Sequence, residues 1–221
     1  MNVFDVIGPV MIGPSSSHTA GAVRIGNMAG MLLPGKPVRA EVGLHGSFAK
    51  TGRGHGTPQA LAAGILGMPP WDSRIRDSLA LAKETGLQIA FEEVDIDGAH
   101  PNTALIRLWN EAGESVSVQG ASVGGGEILI TRIDGMEVDI TGKQPTLLIL
   151  HHDEPGVIAG VTNYLAMNGV NIGGFKLSRK KKGDATALMT LELDEVPAPQ
   201  VTQGIRCFPQ VSRCVLIEPG L

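Results

Sequence analysis

Apolar and polar positions are arranged in two different ways along this chain. Up to about residue 143, short apolar segments are interrupted by loops rich in Gly, Ser, Thr, His and Asn. Beyond it comes a tighter succession of strand and helix signals. The polar stretch Thr141-Gly-Lys-Gln-Pro145 has no periodicity and carries both Gly and Pro, which places a domain boundary at 143/144. No internal repeat of roughly 20–50 residues is visible.

The second region is the more regular. Pro145–His152 is an apolar run that reads as a buried strand. The turn Asp153-Glu-Pro-Gly156 leads into a helix from about Val157 to Asn168, with Val157, Ile158, Val161 and Leu165 at helical spacing. Gly169 ends that helix as a left-handed cap. Val170–Arg179 and Ala185–Leu193 form strands around the turn Lys180–Asp184. A short helix after Pro197 and a strand at Val211–Ile217 complete the order βαββαβ, a ferredoxin-like unit.

In the first region, Ser15–Thr19 offers caps for a helix whose core face carries Ala22, Ile25, Ala29 and Leu32. Val38, Ala40, Val42 and Leu44 alternate with polar residues, the mark of a half-buried strand. Thr57-Pro58 predicts a cap and helix start running to about Leu66. Asp72–Thr85 predicts another helix, closed by Gly86. Strands follow at 88–92, 103–109, 115–121, 127–133 and 136–141, with connections too short for crossovers, so the sheet should be mostly antiparallel. The expected class is α+β: a mixed α/β domain over 1–143 and a ferredoxin-like domain over 144–221.

Composition narrows the function. Of 221 residues, 43% are hydrophobic and 18% charged, enough for buried cores and too apolar for global disorder. A formal charge of −4 and a pI near 5.8 argue against nucleic-acid binding, which needs a basic face. No apolar run approaches the roughly 18–20 residues of a membrane span. The start of the chain lacks a basic leader and apolar stretch, so a cytoplasmic protein is expected. Cys207 and Cys214 are the two cysteines, too few for a thiolate-ligated cluster or structural zinc site.

Three tracts concentrate chemistry. Gly13-Pro-Ser-Ser-Ser-His-Thr19 places hydroxyls and an imidazole before a helix start, where free N–H groups bind carboxylate or phosphate. Plain capping with a surface His18 is the alternative. Gly46–Thr57 is a glycine-rich tract carrying His55 that follows a strand and opens a helix. It lacks the Gly-Lys-Ser/Thr ending of a phosphate-binding loop and reads equally as a surface loop. In His100-Pro-Asn-Thr103, the proline holds His100 extended beside the Asn102 amide, although strand entry alone explains such a sequence. A zinc site from His18, His55 and His100 is conceivable, but their spacing matches no helix-borne metal motif. No Gly-x-Ser-x-Gly nucleophile elbow occurs. Ser122-Val-Gly-Gly-Gly126 suits a turn or bulge, or an anion-binding nest.

Taken with Phe4-Asp-Val-Ile-Gly-Pro9 and Ala63-Gly-Ile-Leu-Gly67, these tracts resemble the β chain of the two-subunit, iron–sulfur-dependent bacterial L-serine dehydratases over nearly the whole chain. The βαββαβ unit, with Asp153–Gly156 and Val170-Asn-Ile172, resembles an ACT domain, a module that senses amino acids. The resemblance implies conversion of L-serine to pyruvate and ammonia, without pyridoxal phosphate, using a [4Fe-4S] cluster held by cysteines of a partner α subunit. It implies no metal ligands here. It places His18, His55, Thr57, His100 and Asn102 in the catalytic surroundings, and Ser15, Ser16, Ser17 and Thr19 at the substrate carboxylate. Either His55 or His100 suits proton transfer. Asp153, Gly156 and Asn171 would bind an amino-acid effector, and the ACT domain would also join copies of the chain into a homo-oligomer. An amino-acid-sensing protein without catalysis is the alternative, since a related first domain also occurs in some phosphoglycerate dehydrogenases.

Overall fold

The computed structural model describes residues 11–13 and 15–220, so the Phe4–Pro9 motif lies outside the described residues. The chain separates into two compact units, the first ending at Asp134 and the second beginning at Gly135.

The first unit opens with a π-helical turn, Ser17–Gly21, that runs directly into α1 (Ala22–Leu32). β1 (Pro37–Leu44) follows, then two one-turn helices, α2 (Ser47–Lys50) and α3 (Gly52–His55), and α4 (Thr57–Ile65). A 3₁₀ turn at Ser73–Asp77 precedes α5 (Ser78–Glu84). The remaining strands are β2 (Gln88–Glu93), β3 (Thr103–Asn110), β4 (Ser115–Gly124) and β5 (Glu127–Ile133). They lie in the order β2-β1-β3-β4-β5. The β1–β3, β3–β4 and β4–β5 pairs are antiparallel, as their short connections require. β1 and β2 run parallel, because the helical segment between them is long enough for a crossover.

Register explains the core of this unit. Val42 stands beside Ile106, Ile106 beside Val118, and Val118 beside Ile133, a row of branched side chains across four strands. All four are buried. On α1, the buried positions Ala22, Ile25, Ala29 and Leu32 form the face read from the sequence. α1 then meets α4 through glycines: a Cβ on Gly64 would lie 2.1 Å from the Val23 carbonyl oxygen, and one on Gly26 would lie 2.4 Å from that of Leu61. The backbones approach more closely than any side chain permits. That contact binds the helix carrying the Ser–His turn to the helix that follows His55.

Three local expectations change. The Gly46–Gly56 tract is not an open loop but the pair α2 and α3. The cap of α4 is Gly56 in a left-handed conformation (φ 72°), with Thr57 already inside the helix. The helix expected over Asp72–Thr85 begins as the 3₁₀ turn, because Asp72 accepts from the Arg74 N–H at 2.9 Å and also binds its guanidinium. These bonds from Arg74 hold the Asp72 carboxyl at about 2.

The second unit begins with β6 (Met136–Ile140). β7 (Thr146–His152), α6 (Val157–Met167), β8 (Ile172–Ser178), β9 (Thr186–Leu193), α7 (Pro199–Arg206) and β10 (Val211–Ile217) follow. Strands β10-β7-β9-β8 form an antiparallel sheet. With the first strand of the unit's βαββαβ run beside the third and fourth, this is the ferredoxin-like arrangement, so the α+β class holds. Leu147, Ile149, Met189, Leu191 and Leu193 from the sheet pack with Val157, Val161 and Leu165 of α6 and Val201 and Ile205 of α7.

Candidate active site

His18 sits in the π-helical turn, nine-tenths buried. Single π turns are uncommon and gather at functional sites, because the wider turn re-aims the side chains within it. Ser15 Oγ accepts from the His18 backbone N–H at 3.3 Å and lies 3.4 Å from its Nδ1. On the other side of the ring, Nε2 lies 3.1 Å from Thr51 Oγ1 and 3.4 Å from Ser47 Oγ. The buried Phe48 ring stands edge-on to the imidazole at 5.3 Å. Burial pushes the His18 pKa below its ordinary 6.5, and the neighbouring His55 lowers it further, against a hydrogen bond to the Ser47 backbone. His18 is therefore neutral at neutral pH.

His55, at the end of α3, is exposed, with its ring centred 4.8 Å from that of His18. Its Nδ1 lies 3.0 Å from the Thr51 carbonyl oxygen. A carbonyl only accepts, so in this bond Nδ1 carries the proton and Nε2 of the neutral ring presents a lone pair. His100 is also exposed, but its Nδ1 accepts from the Asn102 N–H at 3.1 Å. Its neutral ring consequently carries the proton on Nε2. The two exposed imidazoles are in opposite tautomers, one offering an acceptor and the other a donor.

Main-chain bonds bring the tracts together. The Pro101 carbonyl accepts from the Ser47 N–H at 2.7 Å, which ties the His100–Thr103 turn to α2. Gly46 faces that carbonyl at φ 57°, where a Cβ would lie 2.7 Å from the Pro101 oxygen. The Asn102 carbonyl accepts from the Ser122 N–H at 2.9 Å, adding the end of β4 that leads into the glycine-rich turn. His18 and His55 make ring contact, whereas His100 is tied to α2 through the carbonyl of the following residue, Pro101. Of the remaining sequence-predicted residues, Ser16 and Ser17 are half-buried, and Ser16 makes no side-chain cap. Thr19 and Thr57 are buried with hydroxyls that have no hydrogen-bond partner.

The sequence reading passed over Ser47 and Thr51, which touch His18 from α2 and its end. Their separation of four residues, which puts two hydroxyls on one side of a helical turn, is the signal that could have found them. It also left the Ser122 hydroxyl unassigned. That group is wholly buried and unpartnered, facing Gly21, where a Cβ would stand 2.1 Å from it. Arg24 of α1 donates to the Gly126 carbonyl at 2.7 Å and so fixes the far end of the same turn.

In the second unit, the predicted effector residues already have internal partners. Asp153 pairs with the Arg179 guanidinium, whose hydrogen bonds hold the carboxyl below its usual range. Asn171 donates to Asp194 at 2.6 Å. Gly156 caps α6 in a left-handed conformation. His151, not singled out from the sequence, lies 1% exposed on β7 with its Nε2 unpartnered. It occupies the register of Leu147 and Ile149, an apolar face where an imidazole is out of pattern.

Donor chemistry limits what metal this chain can hold. Cys207 is exposed, and Cys214 is buried with its thiol pushed up to about 11 by that burial. Two thiols, one of them held protonated, do not fit an iron–sulfur cluster, which is held by about four thiolates. Among the described residues, no group of three or more His, Cys, Asp or Glu side chains is placed to hold a metal ion. No helix among them is long and apolar enough to cross a membrane.

Comparison with known proteins agrees with this architecture. The serine dehydratase beta chain family matches residues 2–85, and the ACT domain family matches residues 145–205. A probable L-serine dehydratase beta chain of Bacillus subtilis is 46% identical over 210 residues, covering 95% of this chain and 94% of that one. The L-serine dehydratase beta chain of Peptoniphilus asaccharolyticus is 40% identical over 195 residues, covering 88% and 87%. A D-3-phosphoglycerate dehydrogenase of Archaeoglobus fulgidus is 28% identical over 200 residues, covering 89% of this chain and 37% of that longer protein. The chain belongs to the L-serine dehydratase beta chain family, with an ACT domain forming its C-terminal part.

Proposed function

We propose that this chain acts with an α chain carrying a [4Fe-4S] cluster to convert L-serine to pyruvate and ammonia. The observation that carries the reading is the imidazole pair, in which an exposed ring with a free Nε2 lone pair stands against a buried neutral one. Two thiols, one of them buried and held protonated, suit the cluster poorly, in keeping with its ligation by the α chain that the family resemblance implies.

The Cα proton of serine is weakly acidic and needs a positioned base. His55 Nε2 is that base, because its other nitrogen is committed to the Thr51 carbonyl. His18 does not compete for the proton, since a second charge 4.8 Å away in a buried site is unfavourable. His100 presents an N–H and serves as a donor to the substrate. The Ser15–Thr19 turn receives the substrate carboxylate. Loss of water from the amino acid leaves aminoacrylate, which tautomerises and hydrolyses to pyruvate and ammonia.

The catalytic half is the region 1–143, whose last residues, from Gly135 on, are part of the second compact unit, and 144–221 is the regulatory ACT half. An amino-acid effector binds around Asp153, Gly156 and Asn171, and the same domain pairs copies of the chain. Anaerobic co-expression with an α chain, followed by a pyruvate assay with and without this protein, tests the catalytic reading. Pyruvate formation that requires both chains is expected. Equal formation by the α chain alone would overturn it.

A further inference from the structure

The geometry points to Thr51 as the positioning residue that sets the protonation pattern of both imidazoles. The inference deepens the catalytic reading of His55 and rests on it. Thr51 alone among the described residues meets both rings, using its hydroxyl for His18 and its carbonyl for His55.

The direction of each bond follows from what the groups can do. Thr51 Oγ1 donates its single proton to the Ser47 carbonyl at 2.9 Å. Toward His18 it must then accept, so the His18 proton sits on Nε2. This leaves His18 Nδ1 to accept from the Ser15 hydroxyl, which itself accepts the His18 backbone N–H. Every donor from Ser15 through His18 and Thr51 to Ser47 therefore points the same way. The carbonyl of Thr51 meanwhile takes the Nδ1 proton of His55 and turns its Nε2 lone pair outward. Anchoring the hydroxyl holds the peptide whose carbonyl orients the base. The Ser47 hydroxyl, 3.4 Å from His18 Nε2 and 3.2 Å from Thr51 Oγ1, supports the arrangement but reaches neither ring as closely.

Thr51 is exposed and follows α2, so substitutions there should leave the fold intact. Thr51→Val keeps the shape and removes the hydroxyl, whereas Thr51→Ser keeps the hydroxyl. The full chain, labelled with nitrogen-15 at its histidines, is examined by NMR at neutral pH. In the unsubstituted protein and in Thr51→Ser, His18 shows the Nε2–H pattern and His55 the Nδ1–H pattern. In Thr51→Val, His18 moves to Nδ1–H, which Ser15 can accept, and His55 becomes a mixture of tautomers. Assayed with the α chain, Thr51→Val loses about tenfold in kcat, the scale of one hydrogen bond, at nearly unchanged KM, and Thr51→Ser restores it. Unchanged ring patterns in Thr51→Val overturn the inference whatever the activity. Altered patterns together with full turnover by His55→Ala instead defeat the catalytic reading while Thr51's hold on the rings stands.

Discussion

The two candidate binding regions differ in how their polar groups are satisfied. Around His18, the first unit buries an imidazole among hydroxyls and leaves the Thr19, Thr57 and Ser122 side chains with no partner. Around Asp153, the second unit pairs its surface polar groups with each other, Asp153 with Arg179 and Asn171 with Asp194, although the buried His151 Nε2 has no partner. A buried polar group without a partner costs roughly 1–3 kcal/mol, so the first arrangement is one that a fold retains for use rather than stability. An exposed ion pair contributes little and opens readily. On the function proposed above, the first region stays fixed and is completed by the partner chain, and the second exchanges internal bonds for a ligand.

Substitutions can break that contrast, beginning with the largest effect. His55→Ala, assayed with the α chain, is expected to lower turnover by about 10²–10⁴, the usual contribution of a general base. Asp153→Ala should leave basal turnover unchanged. The glycine contact between α1 and α4 comes next. Gly64→Ala forces a methyl against the Val23 carbonyl and should destabilise the protein by about 1–3 kcal/mol in denaturant unfolding. Gly160→Ala on α6, where the space around the new methyl is open, should instead stabilise by about 0.5–1 kcal/mol.

A smaller effect is expected at the effector turn. Calorimetry of the full chain with millimolar L-serine should give heat, and Arg179→Ala should tighten binding by up to about fivefold, the worth of one exposed pair. Absence of heat would leave the ACT domain with a role in oligomer assembly alone.

The smallest effect concerns pH. His18 has a folded pKa below its unfolded 6.5, so the unfolded chain binds the extra proton and stability rises with pH. The His18 contribution is lost as pH falls below about 6.5. His18→Gln should lose less stability than the unsubstituted chain between neutral and mildly acidic pH, measured by unfolding midpoints. Equal losses would show that His18 is not held neutral by its surroundings.

Much of the architecture was legible in the order of residues. The apolar face of α1, the alternation of β1 and the βαββαβ order of the second unit follow from periodicities of 3.6 and 2, which single side chains report directly. Three chemistry-bearing tracts were recognisable because Gly, Pro, Ser and His rarely gather except at turns that must approach something closely.

What the sequence left open depended on distances between residues far apart in the chain. His55 and His100 were equally suited to proton transfer as residue types, and only their opposite partners, a carbonyl for one and an N–H for the other, separated them. The glycine tract became two helical turns because the Pro101 carbonyl, over fifty residues away, receives the Ser47 N–H. Ser47, Thr51 and Ser122 are ordinary hydroxyls until the fold sets them against His18 and Gly21. Local propensity and hydrophobic pattern determine where helices and strands form. The protonation state of a side chain is decided by its burial and by the direction of its hydrogen bonds, and those exist once tertiary packing has brought the partners within reach.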